Sequence, residues 1–290
     1  MGCHMTHSAA AAQHKAPKVL RVNLQDTFYL VDPAVAYEPV LWQLELATCA
    51  KLVNYPDKPW SAAQQPEPEI ANGPPTVSAD GKTYTFKLHA DFRFSSPAKE
   101  EVTAQSFVRA LERAIAPGAN SPVMTFAQDI VGAAAFRAGQ ANSISGITAT
   151  KKHELTIRLE RPAADLLARL AMPFFAAVPL DAPPVDRDAV LPSAGPYYVQ
   201  SFDREGTTVL RVNPNYHGKR PHLFEEIVYQ ANGRTRSRGG HRPRRRVGTG
   251  SRDSRPVRPG FPSGPPLGAG RPRQPRCDPG RRPAAVLPVR

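Results

Sequence analysis

Among the side chains able to hold a metal or act as a nucleophile, Cys3, Cys49 and Cys277 lie in three separate segments, and no pair has metal-ligand or redox spacing. Cys49, inside the apolar stretch Leu44 to Leu52, reads as a small buried hydrophobe. His4, His7 and His14 sit on a polar terminus without carboxylate or thiol support for a coordination sphere, so they read as solvated. His217 and His222 flank a turn and read the same way. The acidic pairs Glu100-Glu101 and Glu225-Glu226 stand beside Lys99 and on an expected strand, where solvated faces are the expectation. The chain has no Gly-x-Ser-x-Gly, no His-Glu-x-x-His and no phosphate-cradling glycine loop. Neither an enzyme nor a cofactor or metal is therefore expected.

Four arginines, Arg242, Arg244, Arg245 and Arg246, make the densest cationic cluster and have the chemistry to meet phosphate. They belong to a segment, 233–290, that holds 16 Arg and no Lys against two acids, Asp253 and Asp278. The rest of the chain carries 22 basic and 23 acidic side chains, so the net charge of +13 belongs to this segment and the body is near neutral. Nucleic acid is accordingly not an expected partner of the body. With 11 Pro, 10 Gly, one aromatic residue, Phe261, and no Ile, the segment has too little apolar surface to offset the entropy of ordering, and it reads as disordered. Two readings of it stay open. It is an arginine-rich arm for nucleic acid or anionic surfaces, or it is the product of a coding sequence rich in G and C read out of frame. The absence of Lys and Glu beside so many arginines favours the second.

At the other end, residues 1–17 are polar and Ala-rich with no apolar run, so they read as disordered and as neither a signal peptide nor a membrane anchor. Gly2-Cys3 followed by polar residues is also what a bacterial lipoprotein retains once its hydrophobic leader is removed.

The elements between these ends are legible from period and punctuation. Alternation over Lys18 to Gln25 predicts a strand with Leu20, Val22 and Leu24 on its buried face. Asp32-Pro33 predicts a helix start with Asp as cap, and Leu41, Leu44, Thr48 and Leu52 share a face. Asn54 to Pro75 reads as an irregular loop, and Ser78 to Lys82 as a tight turn into a strand over Thr83 to Leu88. The clearest helix is capped by Thr103, carries Phe107, Leu111 and Ile115 at four-residue intervals, and stops at Pro117-Gly118. A second helix is expected over Asp129 to Ala138, a hairpin over Ile147 to Leu159, and a short helix over Ala163 to Ala171. A strand pair, Tyr197 to Phe202 and Thr207 to Val212, precedes a turn at Asn213-Pro214-Asn215-Tyr216 and a last strand over Glu226 to Tyr229.

Six strings within this frame carry a resemblance. They are Asp80-Gly81-Lys82-Thr83-Tyr84-Thr85-Phe86-Lys87-Leu88, Phe92-Arg93-Phe94-Ser95, the stretch Val102 to Arg113, Ile130-Val131-Gly132-Ala133 with Ile144-Ser145-Gly146-Ile147, Gly195-Pro196-Tyr197, and Arg211 to Tyr216. Any one is weak, but in this order and spacing they resemble the extracytoplasmic solute-binding proteins of oligopeptide and dipeptide ABC importers (family 5), over nearly all of Lys18 to Gln230. The resemblance implies a mixed α/β (α+β) chain: a periplasmic-binding-protein type II-like first lobe, 18–55 and about 185–232, with an inserted smaller domain, about 56–184. The second lobe is missing from this expectation, and 233–290 follows as a disordered tail.

The resemblance further implies a clamp that traps a short peptide or related solute at the hinge, an ABC permease as membrane partner, and an extracytoplasmic location. It points to the loop after the first strand, Asp26-Thr27-Phe28-Tyr29, as the ligand-facing element. Asp26 would pair with a ligand amino group while Phe28 and Tyr29 wall a side-chain pocket; equally, Asp26 caps the turn and the aromatics fill the core beneath it. Tyr37 and Trp42 are candidates at the mouth. The leading function is thus the substrate-binding component of a peptide importer with impaired binding, against an interaction protein using the arginine-rich tail or a frameshift product without activity. Trypsin is expected to clip 233–290 quickly and leave a resistant fragment ending near Asn232; protection of those arginines would contradict the disorder read from composition.

Overall fold

The computed structural model describes residues 17–204 and 206–231. The expectations for the polar terminus with Cys3, His4, His7 and His14, and for the segment 233–290 with its arginine cluster and Cys277, lie outside the described residues. Apolar alternation produces β1 (Val19–Leu24), as the period requires. Asp32-Pro33, however, does not open the first helix. Asp32 closes a single turn, its Oδ1 accepting the Ala34 amide at 3.0 Å and its carbonyl accepting Val35 and Ala36, both at 3.1 Å. Helix α1 (Pro39–Thr48) starts later, with Pro39 in its first turn, and buries Leu41, Leu44 and Thr48. An Asp-Pro pair signals a turn as readily as a cap, and here a tertiary partner for Asp32 decides.

The region read as an irregular loop contains a short antiparallel pair, β2 (Val53–Asn54) with β3 (Glu67–Pro68). β4 (Thr76–Val77) then turns through Ser78 to Lys82 into β5 (Thr83–Lys87), where Ser78 Oγ lies 2.5 Å from Asp80 Oδ1 and accepts the Thr83 amide at 2.9 Å. Helix α2 (Ala104–Ile115) is the element most strongly determined by sequence. The Thr103 amide donates to Ser106 Oγ at 3.2 Å, and Phe107, Leu111 and Ile115 are buried on one face. The expected helix over 129–138 is shorter: after α3 (Met124–Ala127), α4 (Ala133–Arg137) begins only past Gly132, whose φ is +81°. A Cβ at Gly132 would stand 2.6 Å from Ser145 Oγ, so both the backbone conformation and the close approach require glycine.

β6 (Ile147–Lys151) and β7 (Glu154–Arg158) form the expected hairpin, and α5 (Leu166–Leu170) is a shortened form of the expected helix. The chain returns through β8 (Tyr197–Ser201), β9 (Thr207–Val212) and β10 (Glu226–Ala231). Two four-stranded sheets result, one in the order β1-β10-β9-β8 and the other β4-β5-β7-β6. In the first, β1 and β10 are parallel, with Val19 opposite Glu226 and Leu24 opposite Ala231. One core lies between this sheet and α1, with Phe28, Leu41, Leu44, Leu210 and Ile227. A larger core runs from Leu52 and Ile70 through Phe86, Phe107, Leu111 and Leu155 to Leu170 and Phe174.

A buried ion pair ties these parts together. Arg113 of α2, 3% exposed, donates through Nη1 and Nη2 to the two carboxylate oxygens of Asp32, itself fully buried, at 2.7 and 2.5 Å. The same guanidinium donates to the carbonyls of Pro183 and Pro184, and the Asp186 amide donates to Asp32 Oδ2 at 3.1 Å. Removing one partner strands a buried charge, which costs about 3–5 kcal/mol. Arg113→Ala is expected to lower unfolding stability by that amount in urea titration, whereas the paired replacement Asp32→Leu with Arg113→Met should recover most of the loss.

Candidate functional site

The chain leaves β1 at the end of the sheet where Leu24 lies beside Ala231. The loop that follows divides its four candidate residues by depth. Asp26 is exposed, and its Oδ1 accepts the Thr27 amide at 2.9 Å, so it shapes the turn while leaving its other carboxylate oxygen outward. Thr27 is half-buried. Phe28 is 2% exposed and sets its ring edge against Tyr229, with centroids 5.0 Å apart, so it anchors the loop in the core. Tyr29 is half-buried with its ring reaching the surface.

Two residues not found by sequence reading complete the surroundings of Tyr29. Its hydroxyl bonds the Glu38 carboxylate, and the Arg187 guanidinium stands 6.0 Å from its ring centroid. Burial foremost, and then the bond to Glu38, push the phenol up to about 12. Glu38 follows Tyr37 directly and was within reach of the sequence. Arg187 had no local signal; it arrives because the Val31 amide donates to its carbonyl at 3.3 Å. Asp26, Glu38 and Arg187 thus give this end of the sheet two carboxylates and one guanidinium around a protonated phenol.

Tyr37 and Trp42 lie in a second group. Tyr37, 53% exposed, stacks on Phe174 at 5.9 Å and meets the Trp42 ring edge-on at 6.2 Å. Phe126 joins this cluster, stacked 6.0 Å from Phe174 and tilted 6.1 Å from Tyr37. The indole Nε1 of Trp42 donates to the Ala36 carbonyl at 2.9 Å, which fixes the ring. Two clefts flank the cluster and share Ala168 and Met172. One, of about 600 Å³, includes Phe126, Asp129 and Arg169; the other, of about 650 Å³, includes Trp42, Tyr55 and Tyr197. In the first, Arg169 donates to both oxygens of Asp129 at 2.7 and 3.0 Å and also pairs with Asp165, while Arg161 is exposed.

Of the acidic pairs read as solvated, Glu225 is exposed as expected, whereas Glu100, Glu101 and Glu226 have partners. Glu100 accepts the Leu180 amide at 3.0 Å, Glu101 takes Lys152 Nζ at 2.7 Å and His153 Nε2 at 2.5 Å, and Glu226 pairs with Arg211 at 3.3 Å. Among the described residues, no group of three His, Cys, Asp or Glu side chains is placed to hold a metal ion, and no helix is long and apolar enough to cross a membrane.

A comparison with protein families matches residues 65–238 to the bacterial extracellular solute-binding proteins, family 5 (middle). The chain belongs to this family. A search of curated proteins gave no match. Among solved structures, this family 5 chain is similar to Listeria monocytogenes OppA bound to peptide, with 20% identity, a TM-score of 0.66, and coverage of 75% of this chain and 43% of that one. It is also similar to the substrate-binding domain of an oligopeptide ABC transporter from Bacillus anthracis str. Ames (23% identity, TM-score 0.65, 74% and 42% covered). The Escherichia coli murein tripeptide binding protein MppA gives 23% identity, a TM-score of 0.63, and coverage of 75% and 42%. At these identities the likeness shows the fold, a mixed α/β part of a type II periplasmic binding protein, and the chain spans less than half the length of each.

The family 5 chain also buries titratable groups at the C-terminal end of α1. Glu45, 1% exposed, accepts the Cys49 thiol at 3.0 Å, and Lys51 is fully buried beside them. Burial, foremost, raises the Glu45 carboxyl from 4.5 to about 8 and lowers the Lys51 ammonium. A carboxyl held above its unfolded value contributes stability that is complete below pH 4.5 and is lost as pH rises through about 8. Between those limits the unfolding free energy should fall with a slope approaching about 1.4 kcal/mol per pH unit. Denaturation from pH 4.5 to 8 should show this decline in the parent chain and a flatter course in Glu45→Gln; parallel curves would contradict it.

Proposed function

We propose that this chain supplies the first lobe, with its inserted smaller domain, of the substrate-binding component of a peptide ABC importer acting outside the cytoplasm. Family membership supports solute capture, and the solved structures of the same fold include proteins described as peptide-bound or tripeptide-binding. The observation that carries the reading within this chain is the loop after β1. It presents Asp26 and Tyr29 outward from the sheet end, anchored by Phe28 and flanked by Glu38 and Arg187. Carboxylates there suit a ligand ammonium, the guanidinium suits a ligand carboxylate, and the Tyr29 ring offers a wall for a side chain. The cluster of Tyr37 and Trp42 stands apart from this loop and is proposed only as the mouth.

The proposed partners are a short peptide and the membrane permease of the importer, with nucleic acid excluded for the near-neutral body. The proposed division places 18–55 and about 185–232 in the lobe and about 56–184 in the insert. This follows the first sheet, whose strands all lie outside the insert, and the second, whose strands all lie within it. The arginine-rich segment leaves an interaction role as the alternative.

Contacts from this loop alone must still meet the entropic cost of association. Binding of a di- to pentapeptide pool is therefore expected near millimolar, about 4 kcal/mol. NMR titration should move the backbone amides of Asp26, Thr27, Phe28 and Tyr29, and Asp26→Asn or Tyr29→Ala should reduce the response. Absence of shifts in that loop would overturn the assignment of the site. Micromolar affinity lost on Phe28→Ala would show that the lobe grips peptide alone.

A further inference from the structure

The register of the first sheet separates two places on this molecule. The loop bearing Asp26 leaves where Leu24 lies beside Ala231 and Gln230 opposes Thr207. Tyr197 opposes Val212 at the other end, where Val19 opposes Glu226. The cleft of about 650 Å³ opens at that far end, with Pro196 and Tyr197 in its lining, so it is not part of the loop site. Its volume lies within the range of small-ligand pockets. Its walls are aromatic and aliphatic, chiefly Trp42, Tyr55, Met172 and Pro173.

The polar groups of the cleft decide what fits. Arg220 is already engaged: Nη1 and Nη2 donate to the carbonyls of Leu46 and Cys49, and its charge is paired with Glu69, whose Oε1 lies 2.6 Å from Nε. Asn54 is different. Its backbone is committed to the β2–β3 pair and the residue is only 9% exposed, yet among the described residues its side-chain amide has no hydrogen-bond partner. Asn54 belongs to the lining of this open cleft, so its unbonded amide brings a donor and an acceptor to it. Asp57, exposed at the rim, has no cationic partner among the described residues, and the Tyr55 hydroxyl is likewise uncommitted. The unspent polarity is one amide, one phenol and one negative charge.

We propose that this cleft is a second ligand site, for a small cationic amide whose ring lies on Trp42 and Tyr55. The ligand's amide pairs with both functions of the Asn54 side chain, since one Asn amide donates and accepts in one plane. Its ammonium faces Asp57. Charge complementarity excludes anions of the same shape, because the only cation in the lining is already paired with Glu69.

The test uses the full chain with L-phenylalaninamide as probe and N-acetylphenylalanine, which reverses the charge on the same ring, as control. Saturation-transfer NMR should show transfer to the ring of the amide and none to the anion. Asn54→Leu should weaken binding about tenfold, as expected for loss of a hydrogen-bonded amide in a desolvated site. Asp57→Asn, a change at an exposed rim that leaves the fold intact by circular dichroism, should remove the preference for the cation. Asp26→Asn should leave the titration unchanged, which separates this site from the peptide loop. No transfer, equal transfer from both probes, or a response lost in Asp26→Asn and kept in Asp57→Asn would each overturn the proposal, whatever the peptide titration gives.

Discussion

The ion pair between Asp32 and Arg113 holds together three stretches that the sequence keeps apart. Arg113 lies 81 residues beyond Asp32, and Asp186 lies 154 residues beyond it. Two charges removed from water are stabilising only when every remaining lone pair and proton is met. Here they are. The carboxylate takes two guanidinium donors and the amides of Ala34 and Asp186, and the guanidinium also takes the carbonyls of Pro183 and Pro184. The position of the next residue follows. With Asp186 bonded to Asp32 and Val31 bonded to the carbonyl of Arg187, the Arg187 guanidinium is brought over the Tyr29 ring. The candidate peptide loop is thus shaped from beneath by Phe28 and from the side by a network centred on a charge pair.

That network also marks the limit of what sequence could tell. β1, the hairpins and α2 were legible because their signals are local: alternation in β1, turn residues between paired strands, and a cap with four-residue spacing in α2. Asp32 failed as a helix cap because its partner is a guanidinium far away, and nothing near Asp32-Pro33 distinguishes a capped helix from a turn held by tertiary contact. The break at Gly132 was visible in composition, but its reason, the approach of Ser145, was not. The site divides in the same way. Asp26 to Tyr29 came from a resemblance, since nothing in four residues indicates a ligand, and their depths came only from coordinates. Phe28 and Tyr29 are adjacent, yet one is buried in the core and the other only half-buried against it.

The buried cluster at the end of α1 invites a catalytic reading, since shifted titratable groups gather at active sites. Its geometry argues for structure instead. Helix α1 ends with unsatisfied carbonyls, and Arg220 donates to two of that region, Leu46 and Cys49, while Glu69 accepts the Lys51 amide at 2.8 Å. Cations at a helix C-terminus are favoured by its dipole as well as by these bonds. Gly195 belongs to the same closure: its amide donates to the Thr48 carbonyl at 2.8 Å, and a Cβ there would collide with that carbonyl. The Gly195-Pro196 pair that starts β8 is therefore conditioned by the end of α1.

This closure shapes the far cleft as well. Because Arg220 is drawn inward to finish α1 and pair with Glu69, the one cation in the lining is neutralised before any ligand arrives. Asn54 has its backbone in the short β2–β3 ladder, and its side-chain amide, without a hydrogen-bond partner among the described residues, belongs to the lining of the opening. The chemistry left to the cleft is then a consequence of how the helix and the ladder satisfy their own backbones. The ion pair with Glu69 offsets the positive charge, the Asn54 amide stays unspent, and the walls supply rings and prolines. A pocket with that remainder discriminates by charge before it discriminates by shape.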